Sequence, residues 1–133
     1  MALPIYQIDA FTHRRFSGNP AAVVPLQESL SDTQMLNIAA ENNLAETAFI
    51  VPAKGEVDFE LRWFTPAVEI DLCGHATLAA AYTLFRHLNF NAEKVSFSTR
   101  SGVLLVSREC DQLTMDFPAR APEKKPVPSD ILE

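Results

Sequence analysis

A thiol and an imidazole flank a glycine in the middle of this sequence, at Cys73-Gly74-His75. Both side chains can transfer protons near neutral pH when their surroundings tune them. The uncharged run from Ala76 to Phe85 predicts a helix that is apolar on most sides and starts at this triplet. The first amides of a helix lack internal partners, and Gly74 would let a ligand approach them closely. The junction therefore predicts a binding place for a carboxylate or another anion.

Each of these side chains also has a purely structural interpretation. His75 would then be a helix-start histidine that is satisfied by backbone groups, and Cys73 a small buried apolar residue. If Cys73 does take part in chemistry, a helix N-terminus would lower its pKa. Asn19, within the turn-forming run Ser17-Gly18-Asn19-Pro20, would either orient a polar group of a ligand or simply form the turn.

Glu46 is a carboxylate inside an otherwise apolar stretch, Leu44 to Val51, which predicts a strand. Burial there would raise its proton affinity and make it a usable general acid or base near neutral pH. Alternation places Glu46 on the face that Leu44 and Ala48 share. In the other interpretation Glu46 points to solvent from an edge strand, and the pattern leaves both open.

The elements that must position these residues follow from periodicity. A helix is predicted from the capping box of Ser31 and Gln34 to Asn42-Asn43. A short strand with Val68, Ile70 and Leu72 on its buried face leads into the core helix. Further strands are predicted at residues 4–10, 21–24, 57–63, 94–99, 103–107 and from 113 onwards. This order predicts an α+β fold, with one curved, mostly antiparallel sheet wrapped around a core helix and a second helix nearby.

Composition excludes several classes of protein. The net charge of −6, with no run of Lys or Arg, argues against binding to nucleic acid or to an anionic membrane surface, and no apolar run is long enough to span a bilayer. Two cysteines, Cys73 and Cys110, make no disulfide framework, and the start of the chain shows no signal-peptide pattern. A reduced, cytoplasmic protein is expected. The spacing of Cys and His predicts no zinc motif, and no metal is expected.

The domain organisation is suggested by length and by proline. A chain of 133 residues is one domain, or half of a two-domain protein. We predict a domain over residues 1–117, followed by a proline-rich linker or tail over 118–133 that leads toward an absent second domain.

An ordered set of motifs resembles one family, the phenazine-biosynthesis-like proteins named for the isomerase PhzF, which have the diaminopimelate epimerase fold. The matching pieces are Asp9-Ala10-Phe11, Phe16-Ser17-Gly18-Asn19-Pro20-Ala21-Ala22-Val23-Val24, Asn43-Leu44-Ala45-Glu46-Thr47-Ala48-Phe49, Arg62-Trp63-Phe64-Thr65-Pro66 and Cys73-Gly74-His75-Ala76-Thr77. Each piece alone is weak, whereas the ordered set, which spans most of residues 5–90, is specific.

The resemblance implies two similar domains, each a curved sheet around a central helix, with the active site between them. It assigns the catalytic role to Glu46 and substrate binding to Gly74 and His75, and we expect Cys73 and Asn19 to bind the substrate as well. In the isomerase that names the family, the glutamate moves a proton between two carbons of a dihydro-hydroxyanthranilate without metal or organic cofactor. A cofactor-independent biosynthetic isomerase acting on a small carboxylated substrate is therefore the first hypothesis.

Two departures from the family keep alternatives open. The family is about twice as long, so the chain looks like an N-terminal half that would be inactive as a lone monomer, or that would pair as a homodimer. Related epimerases and racemases carry a catalytic thiol at the place of Cys73, which leaves a cofactor-independent amino-acid epimerase as the runner-up. A binding module that kept the fold and lost catalysis is the third hypothesis.

Overall fold

The computed structural model describes residues 3–10, 18–109 and 112–116. Within these ranges the chain forms eight strands and two helices. In chain order they are β1 (Tyr6–Ala10), β2 (Asn19–Pro25), α1 (Asp32–Asn42), β3 (Glu46–Pro52), β4 (Phe59–Phe64), β5 (Glu69–Ile70), α2 (Gly74–Arg86), β6 (Lys94–Thr99), β7 (Gly102–Glu109) and β8 (Gln112–Asp116). Phe117 and the proline-rich tail predicted for 118–133 lie outside the described residues.

The strands form one mixed sheet in the order β1-β2-β3-β4-β6-β7-β8. The short strand β5 lies off this path and pairs with the last two residues of β4, Trp63 and Phe64. The β3–β4 pair is the antiparallel hairpin expected from the sequence. Two pairs, β2–β3 and β4–β6, are parallel, because each is joined through a connection that contains a helix. The sheet curls around α2, so the predicted α+β, diaminopimelate epimerase-like architecture is confirmed.

The concave face of the sheet and α2 form the main core. The helix contributes small side chains, and the strands contribute larger ones such as Trp63, Phe97 and Leu104, which are almost fully buried. Four alanines of α2 are inaccessible to solvent: Ala76, Ala79, Ala80 and Ala81. Since alanine has no side chain beyond Cβ, the strands can curve closely around this helix.

Helix α1 covers part of the opposite face of the sheet. Its Met35 and Ala39 pack against a second cluster that includes Phe49 and Phe64. The predicted capping box is present, because Ser31 Oγ accepts from the Gln34 amide and the Gln34 side chain accepts from the Ser31 amide, both at 3.1 Å. The helix ends at Asn43, which adopts a left-handed conformation with φ of 51°.

The burial predicted around β5 is wrong. Alternation placed Val68, Ile70 and Leu72 on a buried face, but Val68 and Leu72 are exposed, whereas the side chain of Glu69 is only 11% exposed. The reason is that β5 is two residues long, and its polar residue has charged partners on neighbouring elements.

No helix among the described residues has the length and apolar character needed to cross a membrane.

Candidate active site

Glu46 is positioned by the start of β3, near the N-terminus of α2. It is the first residue of the strand and lies opposite Ala21 in the parallel β2–β3 ladder. Asn19, the first residue of β2, lies at the same end of the sheet and is exposed. Along β3, Ala48 and Ile50 face α2, so alternation turns Glu46 toward the helix as well. The core-facing interpretation of Glu46 therefore matches the geometry.

A carboxylate and an imidazole meet at this end of the molecule. Glu46 Oε2 lies 2.7 Å from His75 Nε2, and the two side chains are 17% and 13% exposed. Both atoms are shielded from solvent, but their approach lacks the alignment of a hydrogen bond, and neither atom has another partner among the described residues. Each atom can therefore still form a hydrogen bond, at a position largely shielded from solvent, where a polar ligand group would be bound strongly.

Cys73 completes this cluster on the other side of the imidazole ring. Its Sγ lies 3.3 Å from His75 Nδ1, within hydrogen-bonding distance for sulfur. Burial, together with the nearby charge of Glu46, raises the pKa of the Cys73 thiol to about 11, although the backbone amides of Ala76 and His75 oppose this rise. The lowered pKa expected from a helix N-terminus is therefore wrong for Cys73, because desolvation outweighs the helix amides. At neutral pH the group is a thiol.

The N-terminus of α2 is left uncapped by side chains. Cys73 occupies the N-cap position without a side-chain cap hydrogen bond, and the first turn contains no acidic residue. The carbonyl of Cys73 is satisfied by the amide and the hydroxyl of Thr77, at 3.1 and 2.7 Å. Unpaired amides at the start of a helix attract anions. Gly74, as the first helical residue, adds no side chain that would obstruct such a ligand.

An ion-pair cluster that the sequence did not predict holds the segment before this helix. Arg62 donates two hydrogen bonds of 2.7 Å to Glu69, and Arg100 forms an ion pair with the same carboxylate at 2.8 Å. Ser101 Oγ also donates to the carbonyl of Asp71 at 2.8 Å. Together these bonds fix the residues that lead directly to Cys73. In the sequence, Arg62 and Glu69 are polar residues of two strands that alternate between polar and apolar positions. Alternation alone does not predict that these two residues pair.

The structure therefore brings three of the predicted site residues together. One donor atom from each of Glu46, Cys73 and His75 lies within 4.8 Å of the others, and Gly74 lies between the last two in the chain. Asn19 belongs to the same end of the sheet without being part of this cluster. A carboxylate, an imidazole and a thiol beside an uncapped helix N-terminus can exchange protons with a bound anion.

A curled sheet that encloses one helix, with acid–base groups at the start of that helix, defines the class of diaminopimelate epimerase-like domains. A family model described as "Phenazine biosynthesis-like protein" matches residues 8–130. The chain belongs to this PhzF-like family, as predicted from the sequence. Relatives in it are named isomerases, and structural neighbours include a predicted epimerase, so the family is one of isomerase- or epimerase-type enzymes.

Individual relatives agree with this assignment. An uncharacterized isomerase of Pseudomonas aeruginosa is 54% identical over 133 residues, which cover 100% of this chain and 51% of that protein. The crystal structure of a PhzF-family protein from Enterococcus faecalis superposes with a TM-score of 0.86 at 46% identity, covering 98% of this chain and 50% of the other. A predicted epimerase from Pseudomonas aeruginosa gives a TM-score of 0.70 at 27% identity, covering 84% and 41%. The chain spans about half the length of the curated relatives it matches.

Proposed function

We propose that this chain supplies the N-terminal half of a cofactor-independent isomerase that shifts a proton between two carbons of a small carboxylated substrate. Glu46 acts as the general acid and base, and Gly74, His75 and Asn19 bind the substrate. The observation that carries the proposal is the contact of 2.7 Å between Glu46 Oε2 and His75 Nε2 at the uncapped start of α2.

The helix N-terminus supports the choice of a carboxylated substrate. The partial positive charge at the helix start favours an anion, and among the described residues no acidic side chain lies in its first turn. A substrate carboxylate bound at Gly74 would lie beside the Glu46–His75 pair. When a proton leaves the neighbouring carbon, negative charge spreads into the substrate carboxylate, and the amides at the helix start stabilise it.

The proposed reaction is balanced by one proton. The carboxylate of Glu46 takes a proton from one carbon, the electron pair of that C–H bond forms a new double bond, and the existing double bond shifts. Glu46 then returns the proton to the carbon at the far end of the shifted system. His75, in contact with the carboxylate, orients Glu46 and keeps its proton within the site.

An epimerase that uses Cys73 is the second candidate. Its support is the position of Sγ, 3.3 Å from His75 Nδ1, which would accept the thiol proton. Against it stands the burial that raises the pKa of Cys73 to about 11 and keeps the sulfur protonated. We therefore favour Glu46 as the base.

The assay is exchange of substrate protons for deuterium in D₂O, followed by NMR over a panel of unsaturated cyclic carboxylic acids and α-amino acids. Glu46→Gln should reduce exchange by about 10² or more, as expected for loss of a general base. Glu60→Gln, a change of an exposed glutamate on β4, is the matched control and should leave exchange intact. Cys73→Ser should retain exchange with the unsaturated acids.

The outcomes separate the candidates. Full exchange by Glu46→Gln would overturn the proposal, whereas loss in Cys73→Ser with α-amino acids as substrates would establish the epimerase. No exchange by a sample that light scattering shows to be dimeric, or by the chain supplied with a separate second domain, would indicate a binding module if partner binding is preserved in Glu46→Gln and His75→Ala.

The greater length of the relatives sets a second condition on the proposal. Since relatives are about twice as long, we propose that a lone monomer is inactive and that turnover needs a second copy, as a homodimer, or a separate second domain. Light scattering on the assayed sample measures the mass of the active species. Full turnover by a monomer would contradict this part of the proposal.

A further inference from the structure

The Glu46–His75–Cys73 cluster combines the three kinds of donor that zinc binds in proteins. Zinc takes sulfur from cysteine, nitrogen from histidine and oxygen from carboxylates, usually in a tetrahedral arrangement. Here one oxygen, one nitrogen and one sulfur lie within 4.8 Å of one another. Spacing along the chain did not predict a metal site from these residues, because Glu46 comes from a strand that lies far from Cys73 and His75 in the chain.

The distance between the sulfur and the nearer ring nitrogen is close to the separation that a zinc ion requires of its ligands. With Zn–S of about 2.3 Å and Zn–N of about 2.0–2.1 Å, a tetrahedral angle separates the sulfur and nitrogen by roughly 3.5 Å. Cys73 Sγ and His75 Nδ1 are 3.3 Å apart, so a small outward shift of the sulfur would admit the ion. The carboxylate of Glu46 contacts the opposite ring nitrogen, so binding through all three residues requires its side chain to rotate toward the sulfur side of the ring.

The state of the donors also favours occupancy. Glu46 Oε2 and His75 Nε2 are shielded from solvent and lack hydrogen-bond partners within the described part of the chain. Binding an ion would use the unsatisfied carboxylate oxygen of Glu46, which is a favourable exchange at a buried position. Cys73 would bind zinc as a thiolate, so its proton must be released when the ion binds. The side chains of Glu46 and His75 are still 17% and 13% exposed, so the ion has a route from solvent and a fourth position for water.

We propose that Glu46, Cys73 and His75 bind a thiophilic divalent cation of the zinc class, and that the bound ion inhibits any proton transfer by Glu46. The ion is a competitor of the substrate and takes no part in the reaction. Binding of the ion depends on the positions of the three donors, whereas the inhibition rests on the function proposed above.

The test uses Co²⁺ as a spectroscopic substitute for zinc. The chain contains two cysteines, Cys73 and Cys110, so the Cys110→Ser variant has Cys73 as its one thiol. Titration of this variant with CoCl₂ should give a near-ultraviolet thiolate-to-cobalt charge-transfer band and visible bands of tetrahedral intensity, saturating at one ion per chain. One equivalent of ZnCl₂ should abolish both, and a large excess of MgCl₂ should abolish neither.

Variants of the ligands give the remaining arms. Cys73→Ala in the wild-type background should abolish the charge-transfer band, which keeps the test decisive if Cys110→Ser does not fold. Glu46→Gln should weaken Zn²⁺ binding by about tenfold or more in calorimetry, and Glu60→Gln should not change it. Absence of the band in folded Cys110→Ser, its persistence in Cys73→Ala, or unchanged Zn²⁺ affinity in Glu46→Gln would each overturn the site. These readouts need no enzymatic activity, so failure of the proposed isomerase reaction would be recognised separately.

Discussion

Removal of the Glu69 charge should destabilise the fold, although Glu69 sits in a strand of two residues. Its side chain is 11% exposed and accepts two hydrogen bonds from Arg62, while Arg100 pairs with the same carboxylate. Breaking a fully buried pair costs about 3–5 kcal/mol, and breaking an exposed pair costs about 0–1 kcal/mol. Because Arg62 is partly exposed, we expect Glu69→Gln to lower the free energy of unfolding by about 2 kcal/mol.

The matched control lies two residues away. Asp71 also faces Arg100, but at 3.5 Å, and its side chain is 77% exposed. Asp71→Asn should therefore change stability by less than about 0.5 kcal/mol. Both variants remove one negative charge near the same arginine, so any effect of net charge alone would be shared between them.

Urea unfolding followed by tryptophan fluorescence measures the difference. Trp63 is the one tryptophan in the sequence, is almost fully buried, and pairs with Ile70 of β5 in the β4–β5 ladder. It therefore reports directly on the segment that Glu69 holds. For a domain of this size the expected loss corresponds to a decrease in Tm of about 6–10 °C. Equal destabilisation by Glu69→Gln and Asp71→Asn, or no effect of either, would refute the reasoning from burial.

Three further predictions concern the cap, the thiol and the core. Ser31→Ala removes the capping box with Gln34 and should reduce stability by about 1 kcal/mol in urea unfolding; an unchanged midpoint would contradict it. Burial raises the pKa of Cys73 to about 11, so this thiol ionises at a lower pH in the unfolded chain than in the folded protein. The stability of the wild-type protein should therefore fall between about pH 9 and 11, and that of Cys73→Ala should fall less. Urea midpoints at each pH measure the difference. Phe97→Ala should cost about 3–5 kcal/mol, whereas Val103→Ala, at an exposed position, should change thermal stability little; similar losses would show that burial does not decide them.

The parts of the fold that depend on local chemistry were predictable. The start of α1 follows from Ser31 and Gln34, and its end follows from Asn43, because capping bonds join residues three or four apart. The buried helix α2 follows from its uncharged, alanine-rich sequence. The face of Glu46 was left open by the pattern, because alternation fixes which residues share a face but not which face the core covers.

The parts that depend on distant partners were not predictable. The burial of Glu69 requires Arg62 on one strand and Arg100 on a turn, and periodicity contains no information about either. The raised pKa of Cys73 likewise depends on how closely the sheet covers the start of α2, which outweighs the local effect of the helix amides. The contact between Glu46 and His75 forms only when β3 and α2 pack together.

The enclosure of α2 by strands from both ends of the described chain has a consequence for the order of folding. The helix packs against β1 and β2 near one end, and it also contacts β8 near the other. Within the described residues, burial of the helix requires strands from both ends, whereas the β6–β7–β8 meander can form from neighbouring residues alone. We therefore expect the meander to form early in folding and α2 to pack against the sheet late. Folding should be slow and cooperative, because these contacts join residues that are distant in the chain.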